Sequence, residues 1–184
     1  MTINEYQKLA MRTCCIPYEN KKDMFRHAVF GLCSEAGEIS EMVYNAYPWM
    51  LIDTEHFKKE LGDCCWMIAE ACTALDIEFE YLVPTMEEDP LIIRIEALSP
   101  IVHDLCSKAG DVAALLQKEY QGHEFSKGQA VLRLRRCYMT IVRICEQTNI
   151  KLEDVMQLNI DKLRARFPEG FEVDKSLHRA AGDI

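Results

Sequence analysis

Laid on itself with a shift of 73 residues, the sequence matches itself. LCSEAGEISEMV (32–43) falls on LCSKAGDVAALL (105–116), and ELGDCCWMIAEACTALDIEFEYLV (60–83) falls on RLRRCYMTIVRICEQTNIKLEDVM (133–156). From 32 to 83, 12 of 52 positions are identical without a gap. A repeat of this length is one supersecondary unit used twice, and neither copy can bury its apolar face alone. Its local signals are helical. Apolar residues recur at helical spacing, Gly and Pro are scarce, and no alternating strand pattern persists. The expected fold is all-α: an antiparallel helical bundle made of two tandem copies of a helical hairpin. The first copy spans about 15–85 and the degenerate second about 88–158, with a tail over about 159–184. All of it belongs to a single domain, 1–184.

Helix starts can be read individually. Thr2 and Glu5 form a capping box before a helix over about 3–14, and a second helix runs over about 21–46. Asp53 caps a third, about 54–75, and its partner under the shift, Ser126, is an equally good cap for 127–147. Ser99 before Pro100 marks the start of a helix ending near Tyr120, and 152–166 completes the set.

Charge excludes some functions. The formal net charge is −9, against the basic face of a nucleic-acid binder. No apolar run is long enough to span a membrane, and MTINEYQKLA lacks a signal-peptide pattern, so a cytosolic location is expected. Of the nine cysteines none forms a CxxC pair. Cys33, Cys64, Cys72, Cys106, Cys137 and Cys145 sit in helical apolar patterns and read as small buried hydrophobes. The acidity is uneven: residues 1–87 hold 7 Lys+Arg against 15 Asp+Glu, and residues 88–184 hold 14 against 15.

That asymmetry marks where chemistry is expected. Glu35, Glu38 and Glu41 recur every three residues, and Glu60 and Asp63 repeat the spacing on the next helix. Residues three apart share a helix face, so two carboxylate pairs can meet across one hairpin. Acids at such spacing are ordinarily a solvated face. Here they are embedded among Leu32, Ile39, Leu61, Trp66 and Ile68, and like charges in apolar surroundings require a cation or raised pKa values. An oxygen-only ligand set selects a hard ion, Mg²⁺ or Mn²⁺.

The ExxE of SEAGE followed by ExxD in KELGDCCW resembles the all-α nucleoside triphosphate pyrophosphohydrolases, which include the MazG-like proteins and the dimeric dUTPases. The opening INEYQKLAMRT and the ending LEDVMQLNIDKLRARFPEGFEVDKSLHR are similar to small MazG-like proteins of bacteria and their phages, which places the chain in a bacterial or phage-infected cytosol. The resemblance implies cleavage of a (d)NTP between its α- and β-phosphates to a (d)NMP and pyrophosphate. It implies magnesium on Glu35, Glu38, Glu60 and Asp63, with Glu41 ligating a second ion or orienting water. Asn159, Lys162 and Arg166 match polar residues of the tail motif, and Lys175 and Arg179 follow it. Several of these five are expected on substrate phosphates, Arg166 being best suited to bidentate contact. Lys175 and Arg179 can equally be solvated tail charges, and Phe167 and Phe171 either pack the tail or flank a base. A dUTPase-type enzyme shares the same acids, and a non-catalytic nucleotide-binding helical module is the further alternative.

The second copy departs from the pattern. Glu35, Glu60 and Asp63 meet Lys108, Arg133 and Arg136, Glu41 meets Ala114, and only Glu38 keeps an acid, Asp111. Counting back 73 residues from Asn159, Lys162 and Arg166 reaches Met86, Asp89 and Ile93, so the basic tail exists once. The chain looks like a dimer of single-hairpin subunits that has been fused and then specialised to one site, able to be a monomer or to assemble further. Lys108, Arg133 and Arg136 either pair internally or contribute a field for the triphosphate.

Overall fold

The computed structural model describes residues 1–46, 51–84 and 97–178. Among these the secondary structure is helical, without strands: α1 (Ile3–Ala10), α2 (Lys21–Ala46), α3 (Thr54–Ala74), α4 (Leu98–Tyr120), α5 (Lys127–Thr148), α6 (Leu152–Arg166) and a short α7 (Val173–Leu177). The all-α expectation holds. Met86, Asp89, Ile93 and Arg179 lie outside the described residues.

Local chemistry sets the boundaries. The Thr2–Glu5 capping box is formed, with Glu5 N–H donating to Thr2 Oγ1 at 3.2 Å and Thr2 N–H to Glu5 Oε2 at 2.7 Å. The first helix is shorter than expected: α1 gives way to a 3₁₀ turn over Met11–Thr13, where the Thr13 hydroxyl donates back to the Ala10 carbonyl. Asp53 and Ser126 cap α3 and α5 as anticipated. Ser99 does not cap α4. That helix starts two residues earlier, from Ala97, and Pro100 sits in its first turn, where the missing N–H leaves no helical bond unmade.

Helix α3 is the centre. Its buried residues cover most of its circumference (Phe57, Leu61, Cys64, Cys65, Ile68 and Cys72 among them), and it packs on α1, α2, α5 and α6. Small residues permit this crowding. A Cβ on Gly62 would lie 2.8 Å from Asn159 Cβ, so α6 reaches α3 at this point because the residue is glycine. The interior is continuous, and the buried Tyr6, Leu32, Phe57, Leu105, Leu134 and Val155 join each of α1 to α6 to it. Full burial of one such side chain contributes about 1.5–3 kcal/mol. Cys64, Cys65, Cys72, Cys137 and Cys145 are buried, and burial pushes the Cys137 and Cys145 thiols up to about 12. Cys33 and Cys106 are half-buried where α2 meets α4, and the Cys106 thiol donates to the Ala36 carbonyl at 3.1 Å.

Helices α2 and α3 run in opposite directions: Lys21 reaches Thr73, His27 reaches Glu70, and Gly31 lies under Met67. So do α4 and α5, where Asp104 meets Arg143 and Arg133 meets the Asp111 carbonyl. The second helix of each pair ends in the same way. Asp76 (φ 50°) and Asn149 (φ 54°) turn left-handed, and the next residues donate back to a carbonyl five residues earlier, Ile77 N–H to Cys72 at 3.0 Å and Ile150 N–H to Cys145 at 2.9 Å. Donor, acceptor and turn residue are each 73 positions apart. No helix of the described residues is long and apolar enough to cross a membrane.

Candidate metal and phosphate site

A cleft of about 320 Å³ opens between α2, α3 and the chain that follows α6. Glu35, Glu38, Glu60 and Asp63 all line it, as do Lys162 and Arg166. One ligand oxygen each from Glu35, Glu38 and Glu60 lies within 4.8 Å of the other two, and this is the one such group found among the described residues. The spacing explains the meeting. Two residues three apart on α2 face two residues three apart on α3, and the opposed helices set the pairs side by side.

Burial differs across the group. Glu60 is 4% exposed, Glu35 is half-buried, and Glu38 opens to solvent. Without a cation these charges repel. Burial first, then the charges of Asp63, Glu38 and Glu60, push Glu35 up to about 8, and it is hydrogen-bonded to Glu60. A proton therefore stands where a positive charge is wanted. His56, one turn before Glu60 on α3, reaches its Oε1 at 2.9 Å.

Asp63 is held by α6. Asn159 Nδ2–H donates to Asp63 Oδ1 at 2.8 Å, and the Lys162 ammonium pairs with Asp63 Oδ2. Asn159 is 0% exposed, and its own Oδ1 accepts from the Tyr6 hydroxyl at 2.9 Å. The Tyr6 hydroxyl also lies 3.2 Å from the Gly62 carbonyl. With the carboxylate fixing the amide's orientation, α1, α3 and α6 are joined through one buried polar chain.

The expected residues fall into three groups. Glu35, Glu38, Glu60, Asp63, Lys162 and Arg166 share the cleft, with Asn159 directly behind it. Glu41 is exposed on α2 and does not line the cleft; Lys175 does not line it either and pairs with Glu172. Of the second hairpin's basic residues, Lys108 donates to Asp104 at 2.7 Å and to the Thr140 hydroxyl at 2.8 Å, and Arg133 donates to the Asp111 carbonyl. Lys108, Arg133 and Arg136 are all absent from the cleft wall.

Several cleft residues carried no motif in the sequence. Thr13, Cys15, His27, Trp66 and Met67 also line it, and Ser176 of α7 lines the cleft in place of its neighbour Lys175. Phe167 and Phe171 stack with ring centroids 5.3 Å apart and both reach the wall, Phe167 being 5% exposed, so the pair packs the tail while bordering the site. The signal that could have found His27 was helical arithmetic. It lies eight residues before Glu35 and eleven before Glu38, which at 3.6 residues per turn puts it about 80° and about 20° from them around α2.

Comparison with protein-family models, with curated proteins and with solved structures found no match.

Proposed function

We propose that the chain is a magnesium-dependent nucleoside triphosphate pyrophosphohydrolase of the MazG-like kind. The observation that carries this reading is the convergence of Glu35, Glu38 and Glu60 within 4.8 Å, in a cleft that Asp63, Lys162 and Arg166 also line. The donor set fits a hard divalent ion. It is all oxygen, burial and the neighbouring carboxylates push Glu35 up to about 8, and one member faces solvent, where a water and a substrate oxygen can reach it.

Glu35, Glu38, Glu60 and Asp63 would hold the ion. Bound there, Mg²⁺ (or Mn²⁺) supplies Lewis-acid activation of water and neutralises charge on the leaving pyrophosphate. Water adds to the α-phosphorus, the bond to the oxygen bridging α- and β-phosphorus breaks, and a nucleoside monophosphate and pyrophosphate result. Asp63 is oriented by Asn159 and Lys162, which fix both its oxygens. Arg166 offers a planar fork to phosphate oxygens, and the ammonium of Lys162 adds positive charge beside the acids. The substrate is thus a triphosphate, and neither nucleic acid nor membrane is part of the reading.

The duplicated hairpin belongs to the same proposal. The two helix pairs, the two identical helix stops and the meeting of Cys33 with its shifted counterpart Cys106 at the α2–α4 contact support a fused pseudo-dimer. One site per chain follows, since Lys108 occupies the position of Glu35 and is bonded within its own hairpin.

The test is release of monophosphate and pyrophosphate from a panel of standard and damaged (d)NTPs, with and without Mg²⁺. Product formed only with the metal supports the reading. No monophosphate from any triphosphate in Mg²⁺ or Mn²⁺ removes it.

A further inference from the structure

Cys14 and Cys15 stand between α1 and α2, outside the helical apolar patterns that hold most of the other cysteines. Cys15 alone among the nine is exposed, and it lines the cleft together with His27. Its sulfur lies 3.9 Å from Nε2 of His27, a hydrogen-bonding distance for a thiol. Neither residue has a part in the chemistry of the carboxylates.

The other nitrogen of the ring settles the direction of that bond. His27 Nδ1 lies 2.7 Å from Oε2 of Glu70, whose side chain is 0% exposed. A buried carboxylate requires hydrogen-bond donors, and Glu70 has them in the imidazole and in the Cys14 thiol, 3.2 Å from its other oxygen. Nδ1 therefore carries the proton, and Nε2 of the neutral ring is an acceptor. An acceptor is what the Cys15 thiol needs, so one tautomer satisfies both contacts. The ring stands edge-on to Trp66, with centroids 6.2 Å apart, which fixes its plane.

Thiol, imidazole and buried carboxylate thus follow one another in the order that activates a nucleophile: the base is within reach of the thiol, and a third group orients the base. Burial, and then the charge of Glu70, raise the Cys15 thiol above its ordinary value, so at neutral pH it is protonated and depends on a base to react. The hydrogen bond to Glu70 raises the His27 pKa, which favours the imidazolium formed when His27 takes that proton. A thiolate derived from a thiol of raised pKa is also the stronger nucleophile.

We infer that Cys15 is a modification site, a thiol that His27 activates for exchange with a low-molecular-weight disulfide. The Cys15 proton passes to Nε2, the thiolate attacks one sulfur of the disulfide, and a new S–S bond forms as the old one breaks. The departing thiolate takes the proton back from the imidazolium and leaves as a free thiol. Cys15 is then held as a mixed disulfide in the cleft wall, and an excess of thiol reverses the step. The inference stands apart from the pyrophosphohydrolase reading, since it needs neither metal nor nucleotide.

The experiment mixes the reduced full-length chain with an excess of a small aromatic disulfide whose released thiol is coloured. Release rate and protein mass are followed, with helical circular dichroism as the check on folding. Wild type should release one thiol per chain in a fast phase, with the adduct on the peptide that carries Cys15 and removable by a dithiol reductant. Cys15→Ser should lose the fast phase. His27→Ala and His27→Gln should each slow it at least about 10-fold although the thiol is retained, the lower end of what a positioned base contributes. Free imidazole should restore part of the rate in His27→Ala. An unchanged rate in both His27 variants would mean that exposure alone governs Cys15, and a fast phase surviving Cys15→Ser would put the reactive thiol elsewhere. Either result overturns the inference. Should His27→Ala not fold, the His27→Gln rate decides alone.

Discussion

The hairpin of α2 and α3 and the hairpin of α4 and α5 are built alike and do different things. Each is a pair of opposed helices, each second helix starts from a side-chain cap, and each stops in a left-handed residue followed by the same backbone bond. At the shifted positions, however, one carries Glu35 in a cleft with three other carboxylates, and the other carries Lys108 tied to Asp104 and Thr140. In the first hairpin like charges converge, and Glu35 holds a proton. In the second, opposite charges compensate one another along the helix pair, as Arg143 also approaches Asp104 at 3.4 Å. The backbone scaffold therefore sets where side chains meet, and a few charge exchanges decide whether the meeting place needs an ion.

The comparison breaks most visibly on paired substitutions. Glu38→Gln or Asp63→Asn should lower pyrophosphate release by more than about 100-fold, beyond the usual cost of losing a residue that merely orients a metal ligand. Asp111→Asn, the counterpart of Glu38, should leave turnover within about 2-fold. Helical circular dichroism should be unchanged in all three. Comparable losses in both hairpins would mean that the second contributes to the site.

Stoichiometry sharpens the same contrast. Calorimetric titration with a non-hydrolysable triphosphate in Mg²⁺ should give one nucleotide per chain, and the double variant Glu35→Gln with Glu60→Gln should show no residual slower activity. Two nucleotides per chain would restore a site to α4 and α5. Half a nucleotide would move the site to an interface between chains.

Next come the basic residues of α6. Arg166→Ala should raise KM about 10- to 100-fold, the value of one charge-assisted phosphate contact of about 1.5–3 kcal/mol. Lys162→Ala should weaken both nucleotide and Mg²⁺ affinity, since it also frees Asp63. Unchanged KM in both variants would reduce these residues to packing.

A pH titration probes the shared proton. Glu35 is raised in the folded state, so its proton is bound more tightly there than in the unfolded chain, and metal-free stability should fall as pH rises from about 4.5 to about 8. The metal must displace that proton, so Mg²⁺ affinity should climb over the same window and level off above it. Heats of binding measured in buffers of different ionisation enthalpy would detect the release. Affinity flat from pH 5 to 8 would mean that the proton is not at the ligand set. The smallest effect is expected from Gly31→Ala, which displaces Met67 of the cleft wall and should change KM a few-fold with kcat nearly constant.

Much of this was legible before any coordinates. The caps at Thr2, Asp53 and Ser126 are local chemistry, and the acid spacing on α2 and α3 needs only helical periodicity and one turn between them. What the sequence left open was set by tertiary approach. Asn159 carries no sign that a glycine at 62 will let it reach Asp63, and the start of α4 was misplaced because Ser99–Pro100 is an equally valid signal two residues late. The His27–Glu70 pair joins residues 43 positions apart, each of which alone reads as an ordinary polar residue on a helix.

The hydrogen bond from Tyr6 to Asn159 spans 153 residues. Its consequence concerns time. A ribosome that has released α1, α2 and α3 has already made every carboxylate of the cluster, but Asp63 has neither Asn159 nor Lys162 until α6 emerges and docks. Contacts of such separation form late, because the chain between them must first be ordered. During synthesis the acidic hairpin is therefore a loose collection of charges, and it becomes a site only when the most distant of its supporting helices arrives.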